Sequence, residues 1–327
     1  MARLGRSQTG GRRGPATGEA RGSRGEPGSA ASAASAGSAG SAGPAPVLAV
    51  VVAGLLVAGC SAARGAAHGP TSSAAPSVTS AASTPALAGS GSQDGWSVTP
   101  VPVPATPTTA QVPLSGWKLT LPVNTAGLLS GTARQLAAAS IDAPWLVRGA
   151  DGSLTFWAPV GGATSADSTH SRTELVATTD FTLGSAVHTL SASLAVVQAP
   201  TASADICVGQ IHGGGPIKSV PFVLLHWRDG NIVVVVKQVL HGSTAQSRVL
   251  LTGVPLGARF EYTIADDGDG NLTFTAAYGN QARKATVRAP SAFMGADVRF
   301  QAGDYQQAVG GPAGDGGRVT FYDLAYS

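Results

Sequence analysis

Three segments of the sequence carry polar side chains whose types and spacing could perform proton-transfer chemistry. Gln210 and His212 are separated by one isoleucine, and Arg172 and Glu174 by one threonine. The third segment, residues 300–307, contains a tyrosine and three glutamines. Because residues i and i+2 of a strand point to the same side of a sheet, each pair is predicted to share one face. Together the segments could supply one polar groove.

This set of side chains suits the cleavage of a uronic-acid polymer by elimination. A base removes the proton on C5 of the sugar, and the oxygen on C4 leaves with a proton from an acid. Because that C5 proton is very weakly acidic while the carboxylate is charged, the site must neutralise the carboxylate with prearranged donors. Arg and Gln supply N–H donors, His accepts a proton near neutral pH, and Tyr could protonate the leaving oxygen. The reaction requires no metal or other cofactor.

The same three segments resemble the motifs R-(T/S)-E-(L/V)-R, Q-(I/V)-H and Y-F-K-A-G-x-Y-x-Q of the family 7 polysaccharide lyases. These are alginate lyases with a β-jelly-roll fold. The stretch Phe156–Thr164 also resembles the part of the family that precedes the Arg motif, and the resemblance extends from Trp117 to the end of the sequence. It therefore implies an enzyme that acts on an acidic polysaccharide.

The resemblance also implies roles for individual residues. Arg172 and Gln210 would neutralise the substrate carboxylate. His212 would serve as base or stabiliser, and Tyr305 as acid or as both acid and base. Glu174 would orient Arg172 through a salt bridge. The candidate substrate-binding residues are Glu174, Gln301, Gln307 and His170, the last on the predicted strand face of Arg172.

Three positions depart from the family motifs. Val176 stands where the motif has its second Arg, Gln301 where it has Lys, and Arg299 where it has its first Tyr. Two positive charges expected near the substrate are therefore missing. Arg299 adds one at a neighbouring position, where it should point to the opposite face from Phe300. The departures leave open whether the substrate is alginate or another uronan such as glucuronan.

Other functions remain to be weighed against the lyase. Family usage associates Ile in the Gln-Ile-His motif with guluronate-containing blocks, which favours these as the substrate. A non-catalytic carbohydrate-binding sandwich is the alternative from another class, but binding alone needs neither His212 nor Tyr305. A glycoside hydrolase needs two carboxylates that flank the bond, whereas Glu174 is the only glutamate in a candidate motif.

The pattern from Trp117 onward predicts an all-β domain, a two-sheet β-sandwich, and the resemblance narrows this to the jelly-roll type. One helix is predicted at Ala133–Ala139. Short alternating or apolar runs, many of them bounded by turn residues, predict the following strands: Trp117–Leu121, Ser153–Trp157, His188–Val197, Asp205–His212, Phe222–Trp227, Ile232–Leu240, Arg259–Ala265, Leu272–Tyr278, Asp297–Gln301 and Arg318–Ala325.

Composition divides the sequence into three parts. Residues 1–59 form a leader, whose apolar run 47–58 is too short to span a bilayer and suits a signal peptide. Cys60 follows a sequence that resembles the bacterial lipobox and would carry the lipid, although a plain secretory signal with an incidental cysteine is the alternative. Residues 60–111 are rich in Ala, Ser, Thr and Pro and predict a disordered tether. Residues 112–327 would be the jelly-roll lyase domain.

Charge and cysteine content limit the partners of this domain. Of the 21 Lys and Arg residues, seven precede residue 112, which leaves the domain with 14 basic and 15 acidic residues. A nearly neutral domain argues against nucleic-acid binding, so a local cluster would hold the acidic polysaccharide. Apart from Cys60, the only cysteine is Cys207, predicted to be a buried, inert thiol. We expect a monomer outside the cell, tethered to the bacterial membrane only through the lipid on Cys60, or secreted.

Overall fold

The computed structural model describes residues 95–103 and 111–327, which form two antiparallel sheets and a single short 3-10 turn at Gly215–Ile217. None of the helical structure in these residues is long and apolar enough to cross a membrane. The strands are β1 (Trp96–Pro100), β2 (Trp117–Thr120), β3 (Gln135–Leu136), β4 (Leu146–Arg148), β5 (Leu154–Pro159), β6 (Arg172–Ala177), β7 (Phe181–Thr182), β8 (Val187–Gln198), β9 (Asp205–Gly213), β10 (Pro221–Arg228), β11 (Asn231–Lys237), β12 (Ala245–Leu251), β13 (Arg259–Asp267), β14 (Asn271–Tyr278), β15 (Gln281–Arg288), β16 (Asp297–Gln306) and β17 (Gly316–Tyr326).

The two sheets face each other across one hydrophobic core. The eight-stranded sheet has the order β1-β15-β14-β13-β8-β17-β5-β4. The nine-stranded sheet has the order β12-β11-β10-β9-β16-β6-β2-β3, and β7 pairs with β16 beside this path. Alternate residues of each strand point into this core. Many of these inward-pointing side chains are aromatic. Its fully buried phenylalanines are Phe156, Phe222, Phe260, Phe274, Phe293, Phe300 and Phe321.

This architecture confirms the all-β class and the two-sheet sandwich of jelly-roll type. All ten predicted strands are present, with shifted ends. The strand predicted over Asp297–Gln301 continues to Gln306, so that Tyr305 lies on it. The strand predicted over Ile232–Leu240 ends at Lys237, where the chain begins to turn back into β12.

The predicted helix at Ala133–Ala139 is wrong. The backbone of this segment forms sheet-edge hydrogen bonds: Arg134 donates to Val123 O at 2.7 Å, and Ala139 donates to Trp117 O at 2.7 Å. Gln135–Leu136 forms the short strand β3 beside β2. Pairing with the edge of a sheet has overridden the helical propensity of the alanines, which is a weak local preference.

The tether prediction for residues 60–111 is wrong over Trp96–Pro100, which form β1 along β15. Trp96 is buried, its ring centroid lies 5.8 Å from that of Phe274, and its indole N–H donates to Gln246. One large aromatic side chain thus ties a segment of disorder-like composition to the core. The proposed lipidation site Cys60 and the rest of the leader and tether lie outside the described residues.

A buried carboxyl group lies beside the site strand. Asp304 is fully buried in β16; its Oδ2 accepts a hydrogen bond from Ala158 N at 3.1 Å, and Oδ1 has no partner. Gly317 leaves room for it, because a Cβ there would overlap the carboxyl group. Burial raises the pKa of Asp304 well above its usual range.

We expect Asp304→Asn to stabilise the protein at pH 8. Because the folded state raises the pKa of Asp304, its stabilisation is full below the unfolded pKa of about 3.9 and is lost as pH rises towards the folded pKa. Asn keeps the acceptor for Ala158 and stays neutral. Urea unfolding should show a gain that grows from pH 4 to pH 8, whereas the exposed control Asp269→Asn should show none. A variant less stable at every pH would contradict the expectation.

Candidate active site

Three neighbouring strands of the nine-stranded sheet, in the order β9-β16-β6, build the candidate site. Gln210 lies opposite Gln301 in β16, and Tyr305 lies opposite Arg172 in β6. These pairings bring together segments that are far apart in the sequence. One cavity of about 290 Å3 is lined by Arg172, Glu174, Gln210, His212, Gln301 and Tyr305.

Strand alternation sorts the site residues from the core as predicted. Ile211 is fully buried in the core, while its neighbours Gln210 and His212 line the cavity. In β16, Phe300 is buried in the core and Arg299 lines the cavity. The sequence pattern therefore predicted correctly which side of each strand faces the site.

Glu174 connects two of the candidate residues. It is fully buried, and its Oε2 lies 3.1 Å from Arg172 Nη1, which is the predicted salt bridge. Its Oε1 accepts a hydrogen bond from Gln210 Nε2. The same Nε2 donates to Gln301 Oε1 at 3.3 Å. Burial raises the pKa of Glu174, and the positive charge of Arg172 opposes this. Glu174 thus holds Arg172 and Gln210 in fixed positions.

Tyr305 is held by two contacts at the cavity. The Arg172 guanidinium stacks on its ring, with the Arg carbon 3.5 Å from the ring centroid. Its hydroxyl lies 3.1 Å from Ser168 Oγ. Ser168 also lines the cavity, but the sequence analysis missed it because an isolated serine before the Arg motif carries no spacing signal. Ser168 Oγ donates to His170 O at 3.0 Å, so it accepts the phenolic hydrogen of Tyr305. The cation on the ring face is placed to stabilise a phenolate.

Two predicted substrate-binding residues do not line the cavity. His170 is not on the strand face of Arg172, because β6 begins at Arg172. Its ring centroid lies 6.2 Å from that of Tyr305, and its Nδ1 lies 3.3 Å from Ala308 O. Gln307 follows the end of β16, and its Nε2 donates to Tyr305 O at 2.9 Å. Both residues contact Tyr305 from outside the cavity lining.

The positions that depart from the family motifs are neighbours in the sheet. Val176 is the direct cross-strand partner of Gln301. The two positions where the family motifs have a positive charge and this chain does not therefore lie side by side in the cavity. Arg299 lies opposite His212, and its guanidinium forms a two-point ion pair with Asp180, each contact 3.0 Å long. The positive charge that Arg299 adds is therefore largely compensated.

His212 is poised as an uncharged imidazole. Its Nδ1 lies 3.3 Å from Gly213 O, and a donor at Nδ1 leaves Nε2 as an acceptor. Burial lowers the pKa of His212 to about 4, helped by the positive charges of Arg172, Arg299 and Lys237 and opposed by the Gly213 hydrogen bond. The ring can therefore accept a proton at neutral pH.

This pKa predicts an unusually acidic limb in the pH profile. A base is active when deprotonated, so kcat/KM should fall only as pH approaches about 4. Arg299→Gln removes a positive charge that disfavours the protonated form of His212. The midpoint of the acidic limb should therefore move to higher pH. The surface control Lys284→Gln, on the other sheet, should leave it in place. Rates on a short oligouronate from pH 3.5 to 8 check this; a midpoint near 6.5 in the unaltered protein would contradict it.

Within residues 95–103 and 111–327, no group of three or more His, Cys, Asp or Glu side chains is placed to hold a metal ion. Cys207 is buried and free as predicted, and burial raises the pKa of its thiol.

Comparisons with known proteins show the family and the fold of this chain. The Alginate_lyase2 family, described as alginate lyase, matches residues 112–327. The structure of an alginate lyase from Pseudomonas aeruginosa is 26% identical with a TM-score of 0.57, over 66% of this chain and 99% of that one. The alginate lyase A1-II′, a member of polysaccharide lyase family 7, is 26% identical with a TM-score of 0.55, over 65% and 95%. An alginate lyase from Klebsiella pneumoniae has the same fold at 24% identity, with a TM-score of 0.57 over 65% and 95%. No curated protein matches the chain.

The matched region contains every strand of the nine-stranded sheet and so the whole cavity floor. The chain belongs to the alginate lyase family, polysaccharide lyases of family 7 with a jelly-roll fold.

Proposed function

We propose that this protein cleaves alginate by β-elimination, with guluronate-containing blocks favoured. The observation that carries the proposal is the convergence of Arg172, His212 and Tyr305 on one cavity. A cation, a neutral base and a phenol are the three groups that elimination from a uronate requires. A non-catalytic binding sandwich would need the cation alone.

In this mechanism Arg172 binds the carboxylate of the sugar whose C5 proton is removed. Its charge stabilises the enediolate-like state that develops. His212 is neutral in the free enzyme. It accepts the C5 proton at Nε2 when that proton lies on the face of the sugar ring that His212 approaches. Tyr305 donates its phenolic proton to the C4 oxygen as the bond to that oxygen breaks. The Arg172 guanidinium on the ring face then stabilises the phenolate until a proton returns from solvent.

The preference for guluronate rests on Ile211 in the Gln-Ile-His motif. Its side chain lies in the core and cannot touch a sugar. Any influence on block preference must therefore act through the position of β9, which carries Gln210 and His212 on its other face. In guluronate the C5 proton and the leaving oxygen lie on opposite faces of the ring, which suits two separate groups.

The decisive experiment offers the full-length protein three polymers: polyguluronate, polymannuronate and glucuronan. Elimination creates a conjugated double bond, so the ultraviolet absorbance of unsaturated uronate should rise, fastest with polyguluronate. A faster rise with glucuronan would show that another uronan is the preferred substrate. The loss of the two motif cations at Val176 and Gln301 is compatible with that outcome. Absence of the product with every polymer would leave the binding sandwich as the better account.

We also propose that the protein is a lipoprotein of the cell surface, or otherwise secreted. The support is Cys60, which Gly59 separates from the apolar run 47–58. Cys60→Ala should block lipidation and release the protein from the membrane fraction, or stop its processing. Fractionation and intact mass check this, with Cys207→Ala as the matched cysteine control. A wild-type protein without acyl groups would contradict the proposal.

A further inference from the structure

The cavity has no excess of positive charge with which to attract a polyanion. The side chains that line it, together with the carboxylate that pairs with Arg299, balance in number: Arg172, Lys218 and Arg299 against Asp167, Glu174 and Asp180. Two of the three cations are also held in ion pairs, Arg172 at 3.1 Å and Arg299 at 3.0 Å. Attraction of a long acidic polymer therefore requires cations outside the cavity lining.

Lys237 lies just beyond one end of the cavity, on β11. Val236 is fully buried in the core, so the next residue, Lys237, points to the cavity side of the sheet. Val236 pairs with Val223, which pairs with Ile211, and His212 follows Ile211. Lys237 and His212 therefore lie in one row, two strands and about 10 Å apart. Besides burial, the charge of Lys237 contributes to the lowered pKa of His212, as this proximity requires.

Lys118 lies just beyond the other end of the cavity, on β2. Its neighbours Trp117 and Leu119 are buried in the core, so Lys118 points to the cavity side. It is the direct cross-strand partner of Val176, which lines the cavity. Because valine is short, the long stem of Lys118 can extend across it and keep the ammonium group in water.

Both ammonium groups are free to bind a ligand. In the part of the chain that the structure describes, no side chain or backbone group forms a hydrogen bond or an ion pair with Lys118 or Lys237. Arg172 and Arg299, in contrast, are fixed by their carboxylates. A hydrated ammonium group on a flexible stem suits a carboxylate whose position varies along a polymer.

The two lysines bracket the residues of the proposed reaction. The sheet order from one lysine to the other is β11-β10-β9-β16-β6-β2, which is five strand spacings or about 24 Å. His212, Tyr305 and Arg172 lie on the three strands β9, β16 and β6 between them. A line from Lys237 to Lys118 thus crosses the strands and passes over the cavity. Because every sugar of a polyuronate carries a carboxylate, an oligomer along this line would present one to each lysine.

We infer that Lys118 and Lys237 are the outer carboxylate-binding subsites of the groove, and that they hold an acidic polymer across the strands. The inference rests on the proposed action on a uronan. Arg172 acts on the reacting carboxylate, whereas each lysine binds the carboxylate of a sugar that flanks the reacting one. The lysines also supply the positive charge that the cavity lining lacks.

Lys118→Met and Lys237→Met test the two subsites, because methionine keeps an unbranched stem and removes the charge. For a long oligoguluronate we expect each variant to raise KM by about 2–5-fold, as for an exposed ion pair, with little change in kcat. The two effects should multiply in the double variant, since the lysines are far apart. KM should also depend less steeply on salt. Lys284→Met, exposed on the other sheet, is the matched control and should behave as wild type.

The length of the oligomer distinguishes a subsite from a general effect of charge. The shortest oligoguluronate that is cleaved reaches neither lysine, so its KM should be the same in both variants as in the unaltered protein. The penalty should appear only with longer oligomers. An equal penalty at every length would overturn the inference, and so would a penalty in only one of the two variants.

Binding without turnover separates this inference from the lyase proposal. The Kd of a long oligoguluronate is measured with Tyr305→Phe alone and with Tyr305→Phe combined with each lysine variant, and the combined variants should bind about 2–5-fold more weakly. Equal Kd values would overturn the role of the lysines. Absence of unsaturated product from the unaltered protein would overturn the lyase proposal, and the Kd comparison would still decide on Lys118 and Lys237.

Discussion

Replacing Tyr305 by Phe should lower kcat by about 10²–10⁴-fold and leave binding nearly unchanged, because it removes one hydroxyl from the reaction. The phenyl ring retains its position against the Arg172 guanidinium, 3.5 Å from the ring centroid. The loss should therefore appear in kcat and not in KM. Tyr278→Phe, a matched change on the other sheet, should retain wild-type rates. A Tyr305→Phe variant with unimpaired kcat would remove Tyr305 from the mechanism.

His212→Asn extends this test to the division of labour. On guluronate, where base and acid approach opposite faces of the sugar, we expect a loss similar to that of Tyr305→Phe. On mannuronate the C5 proton and the leaving oxygen lie on one face, so Tyr305 could serve both steps and the loss should be smaller. Rates on the two homopolymers decide. Equal losses would reject the two-sided arrangement.

Arg172→Met should affect activity and stability together. Loss of a prearranged charged donor should lower kcat/KM by at least about 10²–10³-fold. It also leaves Glu174 buried without its counter-ion, and removing one partner of a buried pair costs about 3–5 kcal/mol. The pKa of Glu174, already raised by burial, should rise further. Its stabilisation is then full below the unfolded pKa and lost as pH rises, so the defect should be larger at pH 8 than at pH 5.

A double variant distinguishes the two effects of Arg172. Arg172→Met combined with Glu174→Gln leaves neutral groups on both sides, which should restore much of the free energy of unfolding at pH 8. It should not restore kcat/KM, because the charge for the carboxylate remains absent. Urea unfolding and rates on one oligomer, measured at pH 5 and pH 8, provide the comparison. Recovered activity in the double variant would show that Arg172 acts only as a structural partner of Glu174.

The parts of the fold that the sequence predicts well are those governed by local alternation. Ile211 and Phe300 point into the core, and their neighbours point into the cavity, because a period of two fixes the faces of a strand. The same reasoning fails where the determining contact is distant. Trp96 lies in a segment of tether-like composition, and its packing against Phe274 and the pairing of this segment with the distant strand β15 make it a strand.

The site shows the same division between local and non-local information. The spacing of Arg172 and Glu174 predicts their salt bridge, since both lie on one strand face. The pairing of Gln301 with Gln210 and Val176 depends on the register between strands, which no local pattern fixes. The spacing of Gln210 and His212 therefore predicts their shared face, whereas the hydrogen bonds of Gln210 to Glu174 and Gln301 follow from that register.

Strand β1 has a consequence for how the domain behaves in isolation. It lies at the edge of the eight-stranded sheet and covers the hydrogen-bonding groups of β15, from Arg283 to Val287. The family match begins only at residue 112. A polypeptide trimmed to that boundary would expose an unprotected sheet edge beside the apolar gap left by Trp96, and open edges of this kind recruit further strands from other molecules. We therefore expect removal of β1 to increase self-association of the domain.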